Sequence, residues 1–267
     1  MEIIIRKTIK DCADIAAKIV AKYIREKNNP VIGLATGTTP LKLYKQLIAM
    51  YNAGIISFKN STTFNLDEYV GLAPSHSQSY HRYMNENLFN FIDIPKDRIF
   101  IPDGMAEDLR QTCIDYEAKI KACKGIDLQI LGIGSNGHIG FNEPMGSLSS
   151  RTWIKILTQN TIQDNSRFFD NAEKVPRHVI TMGIGTIMEA RHCMVLACGW
   201  KKAKAVKAMI EEAVTAKWPA SALQFHQRTT AVIDEAAASL LSHKEQYAWV
   251  EKNQLDWQSY ETPSKGK

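Results

Sequence analysis

The chain has 267 residues, 45% hydrophobic and 23% charged, which suffices to bury a sizeable core in a single α/β domain. Its net charge of +5 comes from Lys and Arg interspersed with acids, so there is no basic stripe to grip a nucleic-acid backbone, while an anionic small-molecule substrate is compatible with it. The odd set of cysteines, Cys12, Cys113, Cys123, Cys193 and Cys198, lacks paired metal spacing; no run reaches membrane-spanning length and the start lacks an export signal. A soluble, cytoplasmic protein is expected.

Short apolar runs alternate with segments of helical periodicity. In chain order the pattern predicts a strand over Met1 to Arg6, a helix over Asp11 to Glu26, a strand over Val31 to Ala35 and a helix over Leu41 to Tyr51. A strand at Thr62 to Leu66, a helix near Ser79 to Leu88, a strand at Arg98 to Ile101 and a helix near Glu107 to Ala122 follow. The last predicted elements are strands at Ile126 to Leu131, His192 to Ala197 and Thr230 to Ile233, with helices near Lys201 to Ala213 and Asp234 to Ser242. Such alternation predicts a mainly parallel, doubly wound sheet with helices on both faces, its loops after Ala35, Leu66, Leu131 and Ala197 sharing one edge. Residues 1–260 are read as one catalytic domain, with a lid around 146–176, where Ser, Thr, Asn and Asp crowd an irregular stretch, and a disordered tail at 261–267.

Those four loops hold the chemistry. In Thr36-Gly37-Thr38-Thr39-Pro40, Thr39 suits a helix N-cap and Pro40 the first helical position, which makes either an anion site at a helix start or an ordinary capped turn. Lacking the Walker lysine, the loop does not read as a nucleoside triphosphate site. In the second loop, Asp67 and Glu68 directly follow an apolar strand, where desolvation can raise a carboxylate into the range of a general base; Asp67 is the candidate, unless either acid merely caps a turn or pairs with an Arg.

The third loop, Gly132-Ile-Gly-Ser-Asn-Gly-His-Ile-Gly-Phe-Asn-Glu-Pro144, satisfies the dinucleotide pattern G-x-G-x-x-G, but Gly140 and Pro144 interrupt the helix that pattern must open, and no acid stands near Arg151 to Trp153. Nicotinamide binding is therefore not expected. His138 reads as a satisfied core histidine, a metal ligand without a second ligand at metal spacing, or a catalytic imidazole oriented by Glu143 and flanked by Asn136.

Taken together, the motifs Leu34 to Pro40, Phe64 to Leu72, Gly137 to Pro144 and Ser166 to Asp170 resemble, in the same order, those of the glucosamine-6-phosphate deaminase (isomerase) family over nearly the whole chain. The resemblance implies a modified doubly wound fold and conversion of glucosamine 6-phosphate and water to fructose 6-phosphate and ammonia, in amino-sugar catabolism, without metal or organic cofactor. It implies that His138 opens the sugar ring with Glu143 and Asn136 as its relay, and that Asp67 moves a proton between C2 and C1. It further implies that Thr36, Gly37, Thr38 and Thr39 hold the phosphate, with Arg167 and Lys202 completing the clamp.

Two departures qualify the transfer. Some members carry an aspartate where Asn136 stands, so the relay is neutral at that point and ring opening should rest more heavily on Glu143. Allosterically activated members bear a basic residue at Trp153, a serine at Gly146 and a threonine at Ile156; only Lys155 matches, so activation by N-acetylglucosamine 6-phosphate is not expected, and assembly anywhere from monomer to hexamer is left open. Three other readings compete with this one. Galactosamine 6-phosphate would undergo the same reaction; 6-phosphogluconolactonases lack the Phe141 to Pro144 continuation; sugar-phosphate sensor domains usually carry an N-terminal helix-turn-helix, for which a strand starting at Met1 leaves no room.

Overall fold

All strands of the main sheet run parallel in the computed structural model, which describes residues 1–166, 169, 174–255 and 260. The chain order is β1 (Glu2–Arg6), α1 (Ile9–Glu26), β2 (Val31–Leu34), α2 (Pro40–Asn52), β3 (Thr62–Asn65), β4 (Asp67–Tyr69), α3 (Tyr80–Asn87), β5 (Ile99–Phe100), α4 (Leu109–Ala122) and β6 (Leu128–Gly132). Then come β7 (Trp153–Ile156), α5 (Gln159–Asn165), β8 (His178–Thr181), α6 (Ile184–Met188), β9 (Cys193–Ala197), α7 (Ala203–Ile210), β10 (Thr229–Asp234) and α8 (Lys244–Lys252).

The seven-stranded sheet is ordered β1-β10-β9-β6-β2-β3-β5. Every residue of β2, β9 and β10 is buried, as expected where helices and loops cover both faces of a parallel sheet. From β2 the chain first proceeds outward through β3 and β5, then returns to place β6 on the other side of β2 and continues through β9 and β10. The loops after β2 and β6 therefore diverge from neighbouring strands, and such a switch point opens a crevice at the carboxyl ends.

A second sheet of three antiparallel strands, β4-β8-β7, was not anticipated from the sequence. It pairs Asp67 with Thr181 and Thr181 with Trp153, and Met182 N donates to Leu66 O across the junction with β3. Two predicted elements need correction. The Ala-rich run from Asp234 to Ser242 is not a helix: Asp234 closes β10, and its carboxylate accepts from Gly199 N and Ala237 N, which bends the chain into turns that pack Ala237 and Ala238 in the core. The supposedly irregular stretch 146–176 contains β7 and α5; its remainder at 167, 168 and 170–173, like the expected tail at 261–267, lies outside the described residues.

The small sheet is fastened to the main body through Glu117 on α4. Its carboxylate accepts from Thr152 N (2.8 Å), Thr152 Oγ1 (2.5 Å) and Thr186 Oγ1 (2.6 Å), and pairs with Arg151. Burial alone would raise its pKa, but these bonds outweigh burial and hold Glu117 below the ordinary carboxylate range. Glu117→Gln should cost about 1–3 kcal/mol, as expected when buried donors lose a charged acceptor. Because the folded-state pKa is lowered, the wild-type advantage is present above the ordinary value of 4.5 and disappears as pH falls through the folded value. Urea midpoints of both proteins across that range test this; a difference independent of pH would contradict it.

Candidate active site

The crevice at the switch point is a cavity of about 330 Å³. Its walls are the loop after β2 (Thr36 to Thr39), the junction of β3 and β4 (Leu66, Asp67), the loop after β6 (Gly132 to His138) and Lys202 from the loop after β9. Thus the four loops expected to share one edge do so. Tyr80 and Tyr83 of α3 and Thr161 and Asn165 of α5 close the sides.

Asp67 is the most strongly perturbed acid here. It is 5% exposed, and burial first, then the negative charge of Glu68, pushes its pKa up from 3.8 to about 8. Glu68 takes the other fate weighed from the sequence: it accepts from Tyr80 N (2.9 Å) and His81 N (3.0 Å) at the start of α3 and meets His81 Nδ1 at 2.9 Å. Two adjacent acids are thereby divided between a cavity-lining carboxyl and a helix cap.

The glycine pattern after β6 has a local explanation. A Cβ on Gly134 would stand 2.3 Å from the His138 ring, so the imidazole folds back over bare backbone while Gly134 N donates to His138 O at 2.8 Å. At Gly140 (φ 55°) a Cβ would come within 2.8 Å of Thr181 Oγ1 and 3.7 Å of Asp67 Oδ2, so this loop can run directly past the buried carboxyl. Asn142 pins the turn by donating to Ile139 O and Met182 O, and Phe141 N donates to Thr181 Oγ1.

Behind the imidazole, Glu143 gathers two side-chain donors. Asn136 Nδ2 donates to Glu143 Oε2 at 2.7 Å, and His138 Nδ1 lies 3.7 Å from the same oxygen, beyond hydrogen-bond range but close enough for a charge to be felt. The amide orientation of Asn136 is set because its Oδ1 accepts from His138 N at 3.2 Å, which leaves Nδ2 to face the carboxylate. Thr161 Oγ1 donates to the second oxygen, Oε1. Burial opposes ionisation, yet His138, Thr161 and Asn136 together hold Glu143 below the ordinary carboxylate range.

Asp67 and His138 therefore line the cavity, whereas Asn136 and Glu143 stand behind His138. Thr36, Gly37, Thr38, Thr39 and Lys202 line it as well, while Arg167 lies outside the described residues. Thr39 corrects the capping expectation: its backbone is already helical (φ −68°, ψ −46°) and its side chain makes no cap bond, so the first-turn amides of α2 gain no acceptor from it. Sequence reasoning missed the aromatic wall, in which Tyr80 stacks on Phe141 and Phe141 on His138, and it missed Thr161. Among the described residues no His, Cys, Asp or Glu cluster has metal-site geometry, and no helix is long and apolar enough to cross a membrane.

Residues 6–232 match the family model described as glucosamine-6-phosphate isomerases/6-phosphogluconolactonase. The chain belongs to this family. A glucosamine-6-phosphate deaminase from Thermoanaerobacter sp. (strain X514) is 53% identical over 241 residues, covering 90% of this chain and 95% of that protein. A solved structure of a monomeric glucosamine-6-phosphate deaminase superposes with a TM-score of 0.88 at 44% identity, covering 90% of this chain and all of the other. The 6-phosphogluconolactonase of Trypanosoma brucei shares the fold, with a TM-score of 0.71 over 90% of this chain and 98% of its own, but only 20% of the sequence. The family resemblance read from the motifs is borne out.

The position of Asp67 has a measurable effect on stability. Its folded pKa is raised, so from about pH 4 to about 8 the unfolded chain holds fewer protons than the native one, and stability falls as pH rises through that window. Asn carries no such proton. The stability of Asp67→Asn relative to wild type should therefore climb between pH 5 and 8 and level off above about 8. Thermal melts of the two proteins across this range test the point; a constant difference would show that Asp67 ionises normally.

Proposed function

We propose that this family member converts glucosamine 6-phosphate and water to fructose 6-phosphate and ammonia. The observation that carries the reading is the approach of a desolvated carboxyl, Asp67, to a loop bearing an imidazole backed by an ionised carboxylate, all beside one cavity at the switch point. That combination suits aldose-ketose chemistry. Ring opening needs a group that shuttles a proton between the ring oxygen and the anomeric hydroxyl, and His138 occupies the cavity wall with Glu143 behind it to stabilise the imidazolium. Asp67 then removes the C2 proton and returns it to C1 on the same face, and the resulting C2 imine is hydrolysed to the ketose and ammonia.

A raised pKa would seem to disarm a base, but the substrate supplies the missing partner. A protonated amine at C2 placed beside Asp67 favours the carboxylate, so binding itself ionises the base. The phosphate is assigned to the Thr36 to Thr39 loop, where first-turn amides of α2 lack a side-chain cap, with Lys202 across the cavity. Arg167 joins that clamp on the family resemblance alone. Asn136, a donor to Glu143, cannot accept a proton in this arrangement, which leaves Glu143 as the charge that supports His138.

Incubation with glucosamine 6-phosphate should yield ammonia and fructose 6-phosphate in equal amounts; galactosamine 6-phosphate and 6-phosphogluconolactone serve as the competing substrates. Ammonia from neither amino sugar overturns the reading. Asp67→Asn should lower kcat by at least about 10²-fold while inorganic phosphate still competes with nearly unchanged affinity, since the substitution removes the base and its amine contact and leaves the clamp. On β7, Trp153 and Ile156 are exposed (56% and 69%) and bring no cation to the face carrying Lys155. N-acetylglucosamine 6-phosphate should accordingly leave the substrate saturation curve hyperbolic and its midpoint within about two-fold; a several-fold shift in affinity would refute that.

A further inference from the structure

We propose that Thr161 is a positioning residue for this reaction: its hydroxyl, carried on α5, holds Glu143 in the orientation that serves His138. The inference rests on the functional reading above and extends it to an element outside the Gly132 to Pro144 loop. Glu143 has two oxygens to place, and its own loop controls only one, through Asn136 Nδ2 at Oε2. The other, Oε1, is held by Thr161 Oγ1. Without that second bond only Asn136 restrains the carboxylate about its last torsion, and the 3.7 Å approach of Oε2 to His138 Nδ1 is less firmly enforced.

The hydroxyl of Thr161 is itself directed. Thr158 Oγ1 donates to Thr161 Oγ1 at 3.1 Å, so the lone pairs of Thr161 face Thr158 and its proton points to Glu143. The result is a one-way chain, Thr158 to Thr161 to Glu143, in which each bond polarises the next. Thr161 is only 5% exposed, so water does not substitute readily for this donor. At its other end α5 is tied to the strand of the base: Asn165 Nδ2 donates to Tyr69 Oη at 3.0 Å, and Tyr69 lies two residues beyond Asp67 on β4. One short helix thus contacts both the imidazole relay and the strand of the proton-transfer base.

Thr161 also has an ordinary structural duty, because its backbone N–H caps α5 by donating to Thr158 Oγ1. That duty is separable from the hydroxyl, since valine keeps the N–H and nearly the same shape. The charged or titratable groups near Glu143 among the described residues are His138 on its own loop and Lys155 of β7, which borders the small cavity behind Glu143. Neither changes in the substitution.

Thr161→Val should lower kcat about ten-fold with KM within about two-fold, and Thr161→Ser should restore kcat to within about three-fold. In the free protein, the ¹³C carboxyl resonance of Glu143, assigned by its loss in Glu143→Gln, should titrate at higher pH in Thr161→Val than in wild type, because a donor to the charged form is gone. Thr161→Ala, measured the same way, replaces the valine variant should that one fail to fold. Wild-type kcat with an unshifted Glu143 titration would overturn the proposal. So would a serine variant as impaired as the valine one, which would trace the defect to packing. Wild-type protein that releases no ammonia would overturn the functional reading, whereas the Glu143 titration reads the Thr161 contact in the absence of any substrate.

Discussion

A carboxyl group kept almost wholly out of water is the constraint around which the site is arranged. Asp67 is raised to about 8 by burial and by the neighbouring charge of Glu68, and keeping an acid in such a place costs stability whenever it ionises. A fold tolerates that cost where function requires it. Under the proposed reaction such a desolvated carboxyl ionises when the cationic substrate arrives, so that recognition of the amine and activation of the base become one event.

The second sheet explains how such a group is held. β4 leaves β3 after a single residue, Leu66, and turns its pairing toward β8, so that Asp67 stands opposite Thr181. Thr181 also faces Trp153 of β7 and accepts from Phe141 N through its hydroxyl. One residue thereby links the strand of Asp67, the strand of Trp153 and Lys155, and the loop that carries His138. Glu117 anchors the start of β7 to α4 and α6, which makes the frame of this small sheet part of the main core.

The large sheet was legible because its strands are apolar runs bounded by turn signals, as in Ile126 to Leu131 and His192 to Ala197. The small sheet was not. Asp67-Glu68-Tyr69 has no hydrophobic periodicity, and Trp153 to Ile156 and His178 to Thr181 are too short for alternation to show; tertiary pairing creates these strands. The Asp234 to Ser242 run failed for the opposite reason, since alanines that favour a helix are used for close packing once the Asp234 carboxylate has captured two backbone amides. Asp67, His138 and Glu143 could be singled out because chemistry-bearing residues followed strand ends. Thr161 could not, because its partner is 18 residues away in sequence and its local pattern, Thr158-x-x-Thr161, reads only as a helix cap.

The two carboxylates of the site have been driven in opposite directions by what surrounds them. Glu143 is partly buried, yet three neighbouring groups, His138, Thr161 and Asn136, favour its charged form and lower its pKa; for Asp67, desolvation and Glu68 both act against the charge. A group that stays ionised is useless as a proton carrier but well suited to stabilise a transient imidazolium, and a group near neutrality is suited to take a proton and give it back. In the proposed reaction, the division of labour between ring opening and C2 to C1 transfer follows from what surrounds each acid. An aspartate at position 136 would place a second negative charge against Glu143 and raise its pKa, so the neutral amide of Asn136 keeps the two acids apart in ionisation and fixes Glu143 in the charged role.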